Sequence, residues 1–381
     1  MKNIAIIGAG ISGLYLANLF RDNEDYKVTI YEKKSSIELN EGYGIQLSVN
    51  SVELLNKIGF SSLTEEEKFN PKKIDFYEIK NAKKICDLEI SRFNSENCKY
   101  TTLKRSNLLQ FLKKKLNEET IKYNHSIDRI EFDKDLINII FNNKKITCDY
   151  LVISDGVFSK GKSLISNNES KAIYNNSIAI RGSISKENLR NTNDENISLF
   201  LGSDFHYVVY PLNNEKKFNF IGVLKYELTA KELDNYNLLK EETFIKGIRD
   251  KIQNEFSTNV LDNINNFKCF PVFVSKGYLE PGKNIFLLGD AFFALPPSFA
   301  QGASQSIEGA SELFDNIVNN KKNFYDNRAT KIKMINRRSK LNQFAFHVSN
   351  PVVVFFRNIS LRLLVKNKKF LENYLGKIYD N

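Results

Sequence analysis

Tryptophan is absent from the 381 residues, and the chain holds only three histidines and four cysteines. Cys86, Cys98, Cys148 and Cys269 form no C-x-x-C pair and follow no regular spacing, which argues against a disulfide framework and a zinc site. His125, His206 and His347 stand apart, so no metal centre is expected. The sequence lacks an apolar run of about 18 residues, and with it any candidate transmembrane helix. The opening MKNIAIIGAG is too short and too broken by glycine for a signal peptide. A reducing cytoplasm fits these absences best.

What is present is ordinary in amount: 42% hydrophobic and 26% charged residues, enough for one large domain or two interleaved ones. The formal charge of +10 raises nucleic acid or anionic lipid as partners. The charges read as scattered, and Lys113-Lys114-Lys115 lies on a predicted helix with Leu112 and Leu116 on its other side. The expectation is a generally basic, solvated surface and no nucleic-acid partner.

The amino terminus is more informative. Residues 2–7, KNIAII, read as a buried parallel strand, and LYLANLF after Gly13 has helical spacing. Between them stand Gly8, Gly10, Ile11, Ser12 and Gly13 in a G-x-G-x-x-G arrangement. A second strand, KVTIY at 27–31, ends at Glu32 and Lys33. Gly8 permits the tight turn, Gly10 lets backbone approach a pyrophosphate, and Gly13 lets helix and strand pack closely. The helix start offers free N–H groups to phosphates. Glu32 can accept bonds from ribose hydroxyls. This fingerprint alone leaves NAD and FAD both open.

Four later segments narrow the choice. IFLLGDAFFALPPSFAQGASQ, 285–305, runs from a strand to Asp290, turns at Pro296-Pro297 and enters a helix through Gln301, Gly302 and Ala303. CDYLVISDGVFSKGK, 148–162, carries Asp155 and Gly156 after a strand, with Ser159 and Lys162 behind them. TTLKRSNLL, 101–109, sets Arg105 at a helix start, and GYGIQLSVNSVELLNKIGF, 42–60, supplies Gly44 and Ile45. In this order the segments resemble those of the FAD-dependent aromatic hydroxylases, the flavoprotein monooxygenases related to para-hydroxybenzoate hydroxylase. The resemblance implies that Asp290 meets the ribityl chain, that Pro297 turns beside the flavin ring, and that the next helix points its start at the ring. It implies that Asp155, tied in relatives to both FAD and nicotinamide binding, contacts FAD together with Gly156 and Arg105, and that 42–60 forms a loop beside the flavin followed by a helix. Two departures stand out: Phe292-Phe293 replace the family's Ala-His, and Ala300 precedes Gln301-Gly302 where the family has G-Q-G. The first is open between an altered active-site rim and altered packing of the strand end.

Between 166 and 280, alternating segments (176–184, 205–212, 218–226) separated by turns such as Asn213-Asn214 read as antiparallel strands, and 74–90 as a hairpin able to join them. RGSI and HYVVYPL resemble the salicylate hydroxylase branch, which makes Arg181, His206 and Tyr210 candidates for the pocket wall. Each also has a structural reading, as an outward-facing strand residue or a satisfied core partner. From 323 to 381 the chain reads as basic helices, packed on the body or, in a second reading, lying on a membrane surface through Phe355, Phe356, Leu361, Leu363 and Leu364.

The expected fold is therefore α/β. A Rossmann-like FAD-binding domain with a three-layer, mostly parallel sheet covers 1–70, 99–165 and 281–322. An antiparallel substrate sheet covers 71–98 and 166–280, and C-terminal helices cover 323–381. The implied activity is an NAD(P)H-consuming monooxygenase that transfers one atom of O2 from a flavin C4a-hydroperoxide to a small phenol-like substrate. Alternatives within the family are a membrane-associated quinone-precursor hydroxylase or an epoxidase. A non-catalytic flavoprotein is the alternative outside it. Flavin halogenases carry a W-x-W-x-I-P motif that a chain without tryptophan cannot supply.

Overall fold

The structure, a computed structural model, describes residues 1–39, 43–133, 136–166, 171–189, 192–213, 217–256, 260–321 and 323–380. Gly42 and Asn214, read above as part of a loop and of a turn, lie outside them.

Five strands pair in parallel in the order Ile285–Leu287, Tyr150–Ile153, Lys2–Ile7, Tyr26–Tyr31, Ile121–Lys122. Ile4 to Ile7 are all buried because both faces of this sheet are covered. Ile4 and Ile6 join one core with helices α1 (Ile11–Phe20), α2 (Arg105–Lys114) and α3 (Gly302–Val318). Ala5 and Ile7 point the other way, into a core shared with the antiparallel ribbon Ile127–Asp133, Leu136–Phe141, Lys144–Cys148. The period-2 alternation of a single strand thus builds a three-layer unit.

A seven-stranded sheet follows the order Asn265–Val274, Ile173–Ser185, Lys217–Lys225, Phe205–Pro211, Ile197–Leu201, Lys73–Glu78, Lys84–Glu89. It is antiparallel except where Ile197–Leu201 meets Lys73–Glu78, and the expected hairpin forms its edge. Phe205, Tyr207 and Val209 pack under the helix Glu242–Phe256. His206, Val208 and Tyr210 alternate onto the opposite face, where they line a cavity with Arg181 and Ile221. Helices α4 (Phe324–Phe346) and α5 (Pro351–Leu364) help to close that face.

The segment after residue 42 departs from expectation. Gly44–Leu47 is a strand rather than a loop, paired antiparallel with Thr101–Lys104, and the helix Val49–Asn56 then begins as read. Asn219 fixes it from the other sheet by accepting the Gly44 N–H at 2.6 Å.

Candidate functional site

Two cavities flank the edge of the parallel sheet. The first, about 470 Å³, is lined by Gly8, Gly10, Glu32, Lys33, Arg105, Asp155 and Gly156. Seven residues expected at one ligand are therefore brought together from four separate segments. Ile11, Ser12 and Gly13 lie at the start of α1 and not in the cavity wall. A Cβ on Gly13 would stand 2.2 Å from the Gly8 carbonyl oxygen, so only glycine permits this helix–strand approach. Glu32 has both carboxylate oxygens engaged, accepting from Ala9 N–H at 2.8 Å and Lys34 N–H at 3.0 Å, so it also ties down the glycine turn.

The second cavity, about 710 Å³, lies between the seven-stranded sheet, α3 and the C-terminal helices. Gly44, Ile45, Arg181, His206, Tyr210, Asp290, Pro297, Gln301, Gly302 and Ala303 all line it. The acid does not end the strand as read. That strand stops at Leu287, and Asp290 opens a short helical turn, Asp290–Phe293. The corner is made by Gly289, whose φ of 57° and 2.3 Å clearance from an added Cβ to Ser12 Oγ admit no side chain. Phe292 and Phe293 are buried in the core beneath the sheet, Phe292 against Tyr278 and Tyr325, so the departure from Ala-His repacks the strand end and leaves the rim alone. Ala300 adopts a left-handed conformation at φ 51°, the geometry for which the family has glycine.

Asp290 is open to the cavity, yet the surrounding protein pushes its carboxyl upward, opposed by the charges of Arg105 and Arg181. Arg105 lines the first cavity and Asp290 the second, and the charge of Arg105 is felt at the Asp290 carboxyl. Tyr210 is buried and its phenol is pushed up by burial, opposed by Arg181 and by a hydrogen bond with Gln46. Gln46 also accepts from Tyr100 Oη at 2.8 Å. The Arg181 guanidinium lies over the rings of Tyr43 and Phe270.

His206 Nδ1 is 2.7 Å from His347 Nε2. Burial, then the facing imidazole, pushes His206 well below its ordinary range, and burial takes His347 to about 4 against the opposing charge of Asp204. Both rings are therefore neutral at pH 7. The unfolded chain takes up protons near pH 6.5 while the native pair refuses them. The stability this contributes is complete above pH 6.5 and is lost as pH falls toward 4. Thermal unfolding is expected to show a loss on the order of 2 kcal/mol over this window after allowance for solvent screening. His347→Asn should flatten that slope, and an unchanged slope would assign it to other groups.

Sequence reasoning missed His347, Gln46 and Asn219. Gln46 sits inside the quoted GIQL segment and was within reach. His347 and Asn219 act across elements distant in sequence and give no local signal.

The residues fit a flavin dinucleotide. Neither α1 nor α3 has a side-chain cap, so their first N–H groups are directed to a ligand or to solvent. Asp155 Oδ1 is buried with no hydrogen-bond partner, although Oδ2 accepts the Gly161 N–H. An added Cβ on Gly10, Gly156 or Gly302 would meet nothing within 4 Å, so these backbone faces are open. Among the described residues no His, Cys, Asp and Glu cluster suits a metal ion.

Such a fold, with paired cavities lined by these residues, suits a flavin-binding protein. The chain belongs to the FAD binding domain family, whose profile matches residues 1–322. It is 25% identical over 331 residues to 3-hydroxybenzoate 6-hydroxylase 1 of Aquipseudomonas alcaligenes, covering 81% of this chain and 79% of the relative. Its fold matches that of HpxO from Klebsiella pneumoniae, a structure complexed with FAD and uric acid. The TM-score is 0.83 at 16% identity, with coverage of 99% of this chain and 96% of the other. A salicylate hydroxylase substrate complex matches with a TM-score of 0.78 at 16% identity, covering 99% and 97%. The protein is an FAD-dependent monooxygenase of the aromatic hydroxylase class.

Proposed function

We propose that the protein consumes NAD(P)H and O2 to place one oxygen atom on an electron-rich, phenol-like ring of a small molecule. The observation that carries this reading is the pair of cavities, one walled by Gly8, Gly10, Glu32 and Arg105 and the other by Asp290, Pro297 and Gly302, which supplies a place for each half of a long cofactor. The diphosphate half belongs with Gly8, Gly10, Ile11, Ser12, Gly13, Glu32, Lys33, Arg105, Asp155 and Gly156. The ring half belongs with Gly44, Ile45, Asp290, Gln301, Gly302 and Ala303, with Pro297 at its edge. In this reading 1–70, 99–165 and 281–322 form the FAD-binding unit, 71–98 and 166–280 the substrate sheet, and 323–381 its helical cover.

Bound FAD supplies the redox chemistry, taking a hydride and activating O2. This chain's residues do the rest. Ile74, Phe76, Leu199 and Val208 exclude water from the reacting space. The uncapped start of α3 stabilises negative charge beside it. Tyr210, held by Gln46, orients a ring hydroxyl. His206 is neutral, and its Nε2 has no partner among the described residues, so it is the group to accept a hydrogen bond from the ring hydroxyl, its low basicity leaving it a poor proton acceptor. Arg181 holds negative charge on the substrate in place. The compartment proposed for this activity is the cytoplasm.

A screen of phenols, benzoates, indoles and quinone precursors tests the proposal by oxygen-dependent NAD(P)H oxidation and by products one oxygen atom heavier. A flavin-loaded protein that oxidises NAD(P)H with none of these would instead indicate a non-catalytic flavoprotein.

A further inference from the structure

Helix α5 packs Leu361 inward beside buried polar groups and leaves a second apolar stripe facing outward. Arg357 is buried, donating to Asn358 Oδ1 and to the Ala345 carbonyl. Asn358 donates to Glu78, and Arg362 Nε to the Ile85 carbonyl, so the polar side chains grip the edge hairpin. Val352, Phe355, Phe356 and Leu363, at spacings of three, four and seven from one another, form the outer stripe and are exposed, Phe355 by 61% and Leu363 by 65%. Phe344, 69% exposed at the end of α4, continues the patch. A stripe of aromatic and branched side chains turned outward on an exposed face marks a contact surface.

The charge around it is not scattered, contrary to the expectation from composition. Residues 327–371 hold eleven of the 55 lysines and arginines and none of the 45 acids. The remaining 44 bases against 45 acids leave the rest of the chain near neutrality, so the whole +10 resides in this segment. Lys340, Arg362, Lys366, Lys368 and Lys369 are exposed around the patch.

From these two observations we infer that the face formed by the end of α4 and α5 docks on an anionic lipid bilayer. The phenylalanines enter the headgroup boundary, and the basic ring meets the lipid phosphates. Helix α5 lies in the interface and does not cross it: no helix among the described residues is long and apolar enough to span a membrane. Phe344, Val353 and Phe356 line the second cavity as well as the surface, so the bilayer would face the route by which an apolar compound enters. Docking itself does not depend on the oxygenase reading.

Flotation of the full-length, FAD-loaded protein tests the inference, using phosphatidylcholine vesicles with and without about one third phosphatidylglycerol. The protein is expected to float with the anionic vesicles at low salt and to be released as salt rises. Phe355→Ser with Leu363→Ser, outside the cavity wall, should weaken partition at least about tenfold while flavin content is kept. Reversal of Lys366, Lys368 and Lys369 to Glu should abolish the preference for anionic lipid. No flotation, or flotation insensitive to the Phe355 and Leu363 changes, overturns the inference. So does a homodimer by light scattering that the same two changes dissociate.

Discussion

Glu308→Leu is expected to cost about 3–5 kcal/mol of folding stability, read from the denaturant midpoint. Glu308 is buried where α3 meets α4, and four groups depend on it. Its Oε1 accepts from Arg328 Nη1 at 2.9 Å and pairs with Lys331 Nζ at 2.7 Å. Its Oε2 accepts from Asn50 Nδ2 at 2.9 Å and Gln305 Nε2 at 3.1 Å. Arg328, only 2% exposed, would keep Glu312 at 3.2 Å and Gln305 Oε1 at 2.7 Å, too little to replace a buried counter-charge. Adding Arg328→Met to Glu308→Leu should recover part of the loss, because the stranded cation leaves with its partner. If the double variant is no better than the single one, hydrogen bonds rather than charge govern the site.

Asp290→Ala is expected to weaken FAD binding by about ten- to a hundredfold, the range of one hydrogen bond to a charged group. Titration of the apoprotein with FAD measures it, through the change in flavin fluorescence. Asp290 makes no packing contact that the fold requires at its open face, so apoprotein stability should stay within about 0.5 kcal/mol. Asp290→Asn, which keeps an acceptor, should lose less than the alanine variant. Equal flavin affinity in all three proteins would remove Asp290 from the cofactor site.

Local pattern carried a great deal of this molecule. KNIAII and its glycines announced a parallel strand and a tight crossover because burial on both faces and helix–strand contact leave few other residue choices. FHYVVY announced an antiparallel strand, and its alternation places His206 and Tyr210 on one face. The illegible parts are those set by long-range partners. Nothing near Glu308 points to Arg328 on the next helix, and nothing near His206 points to His347. The concentration of charge in 327–371 was visible by counting, yet its meaning depends on which side of α5 faces inward, and only packing decides that.

The parallel sheet also sets a timetable for biosynthesis. The strand Tyr150–Ile153 gains its outer neighbour only when Ile285–Leu287 has emerged, some 130 residues later. At about 5–20 residues per second, the ribosome leaves that hydrogen-bonding edge uncovered for roughly 7 to 26 seconds. A nascent chain in this interval exposes apolar β-structure with no partner, an edge open to pairing with other chains.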